Sequence, residues 1–233
     1  MDSKSISCRV EVEEKEDRST LYLYGTILSE PPKKDPITGE DYEKQVIYPE
    51  LVREKVSSCK KDKLELHINS YGGSVYASIA IYNILKQSKK DITVFIDGIA
   101  ASGASIIAMA GNKVIMPHNT QIMIHRASTF GFGNADDMLK MAESLEQVDK
   151  LVIETYKPRF KGEEEELKEL IYKETYLSAQ DSLNYGLCDE VIDYKKEAED
   201  GKPLDENGKK IENTINKLSE EGTNFLNGFI NIF

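Results

Sequence analysis

The 233-residue chain has no tryptophan, only three cysteines and three histidines, and no apolar run near the roughly 20 residues that span a bilayer. Cys8, Cys59 and Cys188 are odd in number and far apart, with no CxxC pair, so neither a disulfide framework nor a zinc site is expected. Basic residues are also short, 30 against 41 acidic, for a net charge of −11. A protein built to grip nucleic acid or an anionic membrane would carry clustered Lys and Arg instead. The acidity lies mainly in residues 64–193 rather than in a tail. The polar start MDSKSISCRVEVEEKEDR has no apolar signal-peptide core, and no GxxxxGK[ST] loop occurs. The expectation is a cytoplasmic globular protein in a reducing compartment, with no cofactor, no metal and no ATP site of its own.

What is present is an alternation of strand and helix patterns. ISCRVEV (6–12) and TLYLYGTIL (20–28) alternate as two paired strands, 30–44 is a proline- and charge-rich surface loop, and 48–58 suits a helix. LELHIN then runs into SYGGS and a helix with Val75, Ile79, Tyr82 and Leu85 on one face. The order repeats with ITVFI (92–96), a turn at Asp97-Gly98 and a small-residue helix over 100–110. Such βαβ units imply a largely parallel α/β sheet. Strands at 113–116 and 121–124 follow, then a glycine-punctuated loop (128–133) and a long helix over 135–160. Its N-cap is Asn134, and its stripe is Met138, Met141, Leu145, Val148 and Val152. A helix at 163–173, a capping box at Ser178–Asp181 opening a short helix that stops at Gly186, and a strand at 187–192 complete the pattern. Beyond Asp193 a polar linker leads to an amphipathic C-terminal segment. Three regions are expected: 1–63 leading into the core, 64–193 as the catalytic domain with a protrusion at about 126–160, and 194–233.

Two residues stand out chemically. Ser102 lies among Ala100, Ala101, Gly103 and Ala104, small neighbours that permit a sharp strand-to-helix turn exposing Oγ. The same texture also suits a closely packed buried helix, and the strict G-x-S-x-G elbow is not met. His125 directly follows a strand, at the edge where open α/β sheets place their sites. His67, inside a strand, and His118, in a Pro-His-Asn turn, have structural settings. Gly72-Gly73 allows close approach of a substrate to the main chain, or simply makes a tight turn.

Together these segments resemble the Clp protease proteolytic subunit over residues 64–193. INSYGGSVYASIAIYN is similar to that family's INSPGGSV segment, GIAASGAS to its nucleophile segment, MIHRA to MIHQP, and ETYLSAQDSLNYGLCDEVI to its closing D-R-(F/Y)-(L/M)-S-A motif. The resemblance implies a Clp protease/crotonase-type spiral of βαβ units with a long protruding handle helix. It makes Ser102 the nucleophile, His125 the general base, and the N–H groups of Gly73 and Gly103 the oxyanion hole. Glu174 stands where the family has the Asp of its triad; Asp136 and Asp137 compete for that role, and Asp189 matches a structural Asp. Gly72, Ser74, Val75, Arg126 and Ala127 would border an extended substrate strand.

The implied activity is serine endopeptidase chemistry on a polypeptide inside a self-compartmentalised homo-oligomer of stacked rings. The implied partners are an ATPase unfoldase or, since the first 63 residues look more like phage head-maturation proteases, capsid or scaffold proteins. Rival readings are a crotonase-type acyl-CoA enzyme, a Ser-Lys signal-peptide peptidase and a catalytically silent shell component.

Overall fold

The computed structural model describes residues 8–30 and 46–194. All but the first residue of the expected loop at 30–44 and of the segment at 194–233 lie outside them. Strand β1 (Arg9–Glu14) turns through a Lys15 N–H to Arg18 carbonyl bond of 2.8 Å and pairs antiparallel with β2 (Ser19–Ile27), Arg9 facing Tyr24. The short β3 (Val46–Ile47) adds to the end of β2, and Pro49 opens α1 (Pro49–Ser58), where its missing N–H is no loss. Strand β4 (Lys63–Gly73) is followed by α2 (Val75–Gln87), β5 (Asp91–Ala101), α3 (Gly103–Ala108), β6 (Lys113–Pro117) and β7 (Gln121–Ile124).

The main sheet runs β1-β2-β4-β5-β6, closed at its far edge by β9 (Glu190–Ile192), and every pairing from β2 onward is parallel. Alternation decides which face is core: Leu64, Leu66 and Ile68 of β4 and Ile92, Val94 and Ile96 of β5 are buried on the helix side. Each such side chain contributes about 1.5–3 kcal/mol by leaving water. The opposite face carries a half-buried ladder, Tyr22, His67 and Phe95, in register and stacked at centroid distances of 5.0 and 4.9 Å. His67 Nδ1 bonds Asp97, so this histidine is part of the sheet's packing.

Strand β5 differs from the sequence expectation in a way that creates the site. No turn interrupts it at Asp97-Gly98; it continues to Ala101, and helix α3 is shorter than the expected 100–110. Between the pairs Ile68↔Ile96 and Ser70↔Ala100, β5 advances four residues while β4 advances two, so the extra residues are absorbed as a bulge. Gly98 packs directly on Asn69: a Cβ there would lie 2.8 Å from its Oδ1. After the bulge, β5 leaves β6 and pairs instead with β7, Ile99 to Ala101 against Gln121 to Met123. This fork places the ends of β4, β5 and β7 together.

Helix α4 (Ala135–Tyr156) starts with a complete capping box between Asn134 and Asp137. It stops short of the expected residue 160, because Pro158 has no N–H to continue the ladder. Its stripe is buried only from Val148 onward; Met138 is exposed, and Met141 and Leu145 are half-buried. Helix α5 (Glu164–Tyr172) leads to β8 (Thr175–Ser178), a strand not expected from the sequence, which pairs antiparallel with β7. The Ser178–Asp181 capping box opens α6 (Ala179–Asn184) as expected. No described helix is long and apolar enough to cross a membrane.

Candidate active site

Ser102 occupies the junction of β5 and α3 with φ 54° and ψ −124°, a left-handed conformation costing a non-glycine residue about 1–3 kcal/mol. Several bonds hold it there. Its N–H donates to the Met123 carbonyl of β7 at 2.8 Å, and its own carbonyl accepts the Ser105 N–H at 3.0 Å. The small neighbours are explained by close approach of main chains. A Cβ on Gly72 would sit 2.5 Å from the Ala101 carbonyl and 2.9 Å from Ser102 Cβ, and one on Gly103 would sit 2.2 Å from Ser78 Oγ. Gly73, at φ 148°, lies so near β2 that a Cβ would be 2.0 Å from the Ile27 carbonyl. The Gly72-Gly73 segment is therefore pressed against the Ser102 turn. The Gly103 N–H, at the first position of α3, has no carbonyl within the helix to bond.

His125 is the first residue after β7, and its Nε2 lies 2.7 Å from Ser102 Oγ. With Nδ1 carrying the proton, Nε2 is an acceptor aimed at the serine hydroxyl, the arrangement a general base needs. The nearby acids divide sharply. Asp137 is engaged in the α4 cap, and Asp136 is exposed on the same first turn. Asp189 accepts the Val114 N–H at 2.7 Å and pairs with Arg159. Glu174 sits between α5 and β8; since Ile124 faces Thr175, one further step of the register sets Glu174 across from His125. Its side chain is exposed, and it makes no hydrogen bond or ion pair among the described residues.

The pair opens into a cleft of about 730 Å³. Gly73, Ser74, Val75, Arg126 and Ala127 line its mouth, while Ile106, Leu145, Val148, Val152 and Tyr156 form an apolar wall. Ser74 also caps α2 and bonds Ser29. Gly72 is buried behind this rim. Arg126 turns its Nε to Asp149 at 2.7 Å and lays its guanidinium over the Tyr172 ring at 4.6 Å; the Ala127 N–H donates to the same carboxylate at 2.8 Å. That N–H is thus already bonded. The hydrogen bond to Asp149 also holds the Arg126 guanidinium even more firmly protonated than usual.

Asp149, only 2% exposed, escaped the sequence reading, as did Ser105 and Tyr156. A signal for Asp149 existed: positions 145, 148, 149, 152 and 156 share one helix face, and a carboxylate on a buried stripe needs partners. Among the described residues, no group of three His, Cys, Asp or Glu side chains could hold a metal ion.

The architecture and this serine–histidine pair at the fork of an α/β spiral define a hydrolase-like site. The Clp protease family model matches residues 38–195. The ATP-dependent Clp protease proteolytic subunit of Deinococcus radiodurans is 30% identical over 148 residues, 62% of this chain and 72% of that protein. The counterpart from Oltmannsiellopsis viridis is 31% identical over 57% of this chain and 69% of its own length. Proteolytic subunit 1 of Corynebacterium glutamicum is 31% identical over 57% and 65%. The chain belongs to the Clp protease family, and its fold is that family's spiral.

Proposed function

We propose that this protein is a serine endopeptidase in which Ser102 is the nucleophile, His125 the general base and Glu174 the acid that orients the imidazole. The observation that carries the reading is the 2.7 Å contact between Ser102 Oγ and His125 Nε2 beside a glycine segment that brings main-chain N–H groups close to the hydroxyl. In the reaction, Ser102 Oγ bonds the scissile carbonyl carbon as its proton passes to His125 Nε2. The Gly73 and Gly103 N–H groups receive the oxyanion. The C–N bond then breaks, His125 returns the proton to the leaving amine, and water, activated by the same imidazole, releases the acyl group from Ser102. Glu174 accepts the Nδ1 proton's hydrogen bond and stabilises the imidazolium; its longer side chain reaches from an exposed backbone position across from the histidine.

The substrate lies extended along Gly72–Val75, with main-chain bonding on that side and with the Arg126–Ala127 segment forming the opposing bank. The apolar wall favours an apolar side chain at the cleaved bond. Phe130 and Phe132, wholly exposed at the tip before α4, suit a surface covered by another copy, as stacked rings require. Proteins of the relatives' name are proteolytic subunits of an ATP-dependent protease, so a separate ATPase is the natural partner; the phage head-maturation reading instead supplies capsid or scaffold protein as substrate. A fluorophosphonate probe tests the core of this reading. Labelling at Ser102 that is lost in Ser102→Ala and His125→Ala supports it, whereas equal labelling of wild type and Ser102→Ala removes it. A crotonase-type enzyme would not need the pair.

A further inference from the structure

Helix α4 reaches the site twice. At Asp149, Oδ1 accepts the Ala127 N–H at 2.8 Å and Oδ2 accepts Arg126 Nε–H at 2.7 Å, so one buried carboxylate fixes the two residues that follow His125. At Tyr156, 1% exposed, the phenol lies 2.8 Å from Ser105 Oγ. Ser105 Oγ lies in turn 2.5 Å from the Ser102 carbonyl and 3.1 Å from that of Met123. The protons have one sensible arrangement. Both carbonyls only accept, so the single Ser105 hydroxyl proton goes to them, chiefly to the nearer Ser102 carbonyl, and Tyr156 donates to Ser105. Burial keeps the Tyr156 phenol protonated for that purpose.

The two contacts are seven residues apart, two turns and about 10.5 Å along one face of the same helix. One ends beside the base, the other on the carbonyl of the strained nucleophile turn, and the Met123 carbonyl that receives Ser105 also receives the Ser102 N–H. The Tyr156 ring fills core, but its hydroxyl is not needed for that, since a phenylalanine would fill the same space with no buried polar group to satisfy; Asp149 likewise places a carboxylate on a buried stripe where it must find partners. We propose that Asp149 and Tyr156 are positioning residues, a two-point clasp through which α4 sets the alignment of Ser102 with His125. This rests on the reading of that pair as nucleophile and base.

The test compares Asp149→Asn, Tyr156→Phe, Ser105→Ala and the Ser105→Ala/Tyr156→Phe double variant with the full-length wild type. The readouts are the rate of fluorophosphonate labelling at Ser102, kcat and KM on a short apolar peptide ester, and Tm. Ile153→Ala serves as a control that loosens the same helix while leaving every donor and acceptor of both contacts in place. Because misplacement by an ångström can cost about a hundredfold, the expected result is a drop in labelling rate and kcat of about 10- to 100-fold for Asp149→Asn and about tenfold for Tyr156→Phe. KM should stay within about threefold, and the double variant should be no worse than Ser105→Ala, since both act through one hydroxyl. Ile153→Ala should lower Tm with labelling of the folded protein unchanged. If Asp149→Asn and Tyr156→Phe behave like Ile153→Ala, the clasp is merely structural and the inference is overturned. If wild type itself fails to label at Ser102, the reading of the pair falls first and the clasp with it.

Discussion

Of the three described non-glycine residues at positive φ, two belong to the proposed site, Ser102 at φ 54° and Glu174 at φ 51°, and they are held very differently. The Ser102 turn is bonded through its own N–H and carbonyl, is backed by Ser105 and Tyr156, and is hemmed in by glycines that admit no Cβ. The Glu174 turn has one long bond, from its N–H to the Ile171 carbonyl at 3.3 Å, with Thr175 Oγ1 anchoring the next residue to the Leu170 carbonyl. The positive φ is therefore locked in at Ser102, the proposed nucleophile, and loosely held at Glu174, the proposed acid. The geometry of Ser102 is a property of the fold; the reach of Glu174 is a property of a side chain free to choose its rotamer. The proposed triad thus has two fixed members and one adjustable one.

The largest effects should come from the fixed side. Ser102→Ala and His125→Ala should each lower kcat by on the order of 10⁴-fold or more, measured on a peptide ester, with the fold intact by circular dichroism. Next, Gly73→Ala should cost on the order of 3 kcal/mol of stability in denaturant melts, because its Cβ would meet main chain of β2 rather than a movable side chain; a loss under about 0.5 kcal/mol would mean the glycine contact is not tight. On the adjustable side, Glu174→Gln should reduce kcat by about 10²-fold with KM little changed, while Glu174→Asp should keep activity within about tenfold of wild type. An unaffected Glu174→Gln would remove Glu174 from the triad. Smallest of all, Glu174→Gly should relieve the positive φ and leave stability equal or raised by at most about 1 kcal/mol, read as an unchanged or slightly higher Tm, even as activity falls. A clear drop in Tm instead would show that the exposed glutamate is held by contacts that matter to the fold.

Most of this arrangement was legible in the sequence where local rules act alone. Period-two alternation marked β1 and β2, short apolar runs marked β4 and the first half of β5, and the N-cap at Asn134 and the capping box at Ser178 marked the starts of α4 and α6. Ser102 and His125 came from small-residue texture, a strand end and the family resemblance, and the structure brings their side chains together. What was missed depends on tertiary context. Asp97-Gly98 has turn chemistry, yet pairing with β4 and β7 carries β5 through it as a bulge. Thr175–Ser178 is too short to show a period and is a strand only because β7 offers it an edge. Asp149 lies on the apolar stripe of α4, but which groups satisfy it shows only once the path of β7 brings Arg126 and Ala127 to it.

The forked strand has a consequence for how the site comes apart. Ser102 and His125 are 23 residues apart and are joined by the pairing of β5 with β7, inside the sheet. Glu174 is carried to them by β8, a four-residue strand bonded along one side only, after a detour through α4 and α5. Short edge strands open at a lower free energy than the sheet they border. Detachment of β8 would take Glu174 away while the serine and histidine stay in hydrogen-bond contact, so loss of the full proposed triad need not await loss of the fold.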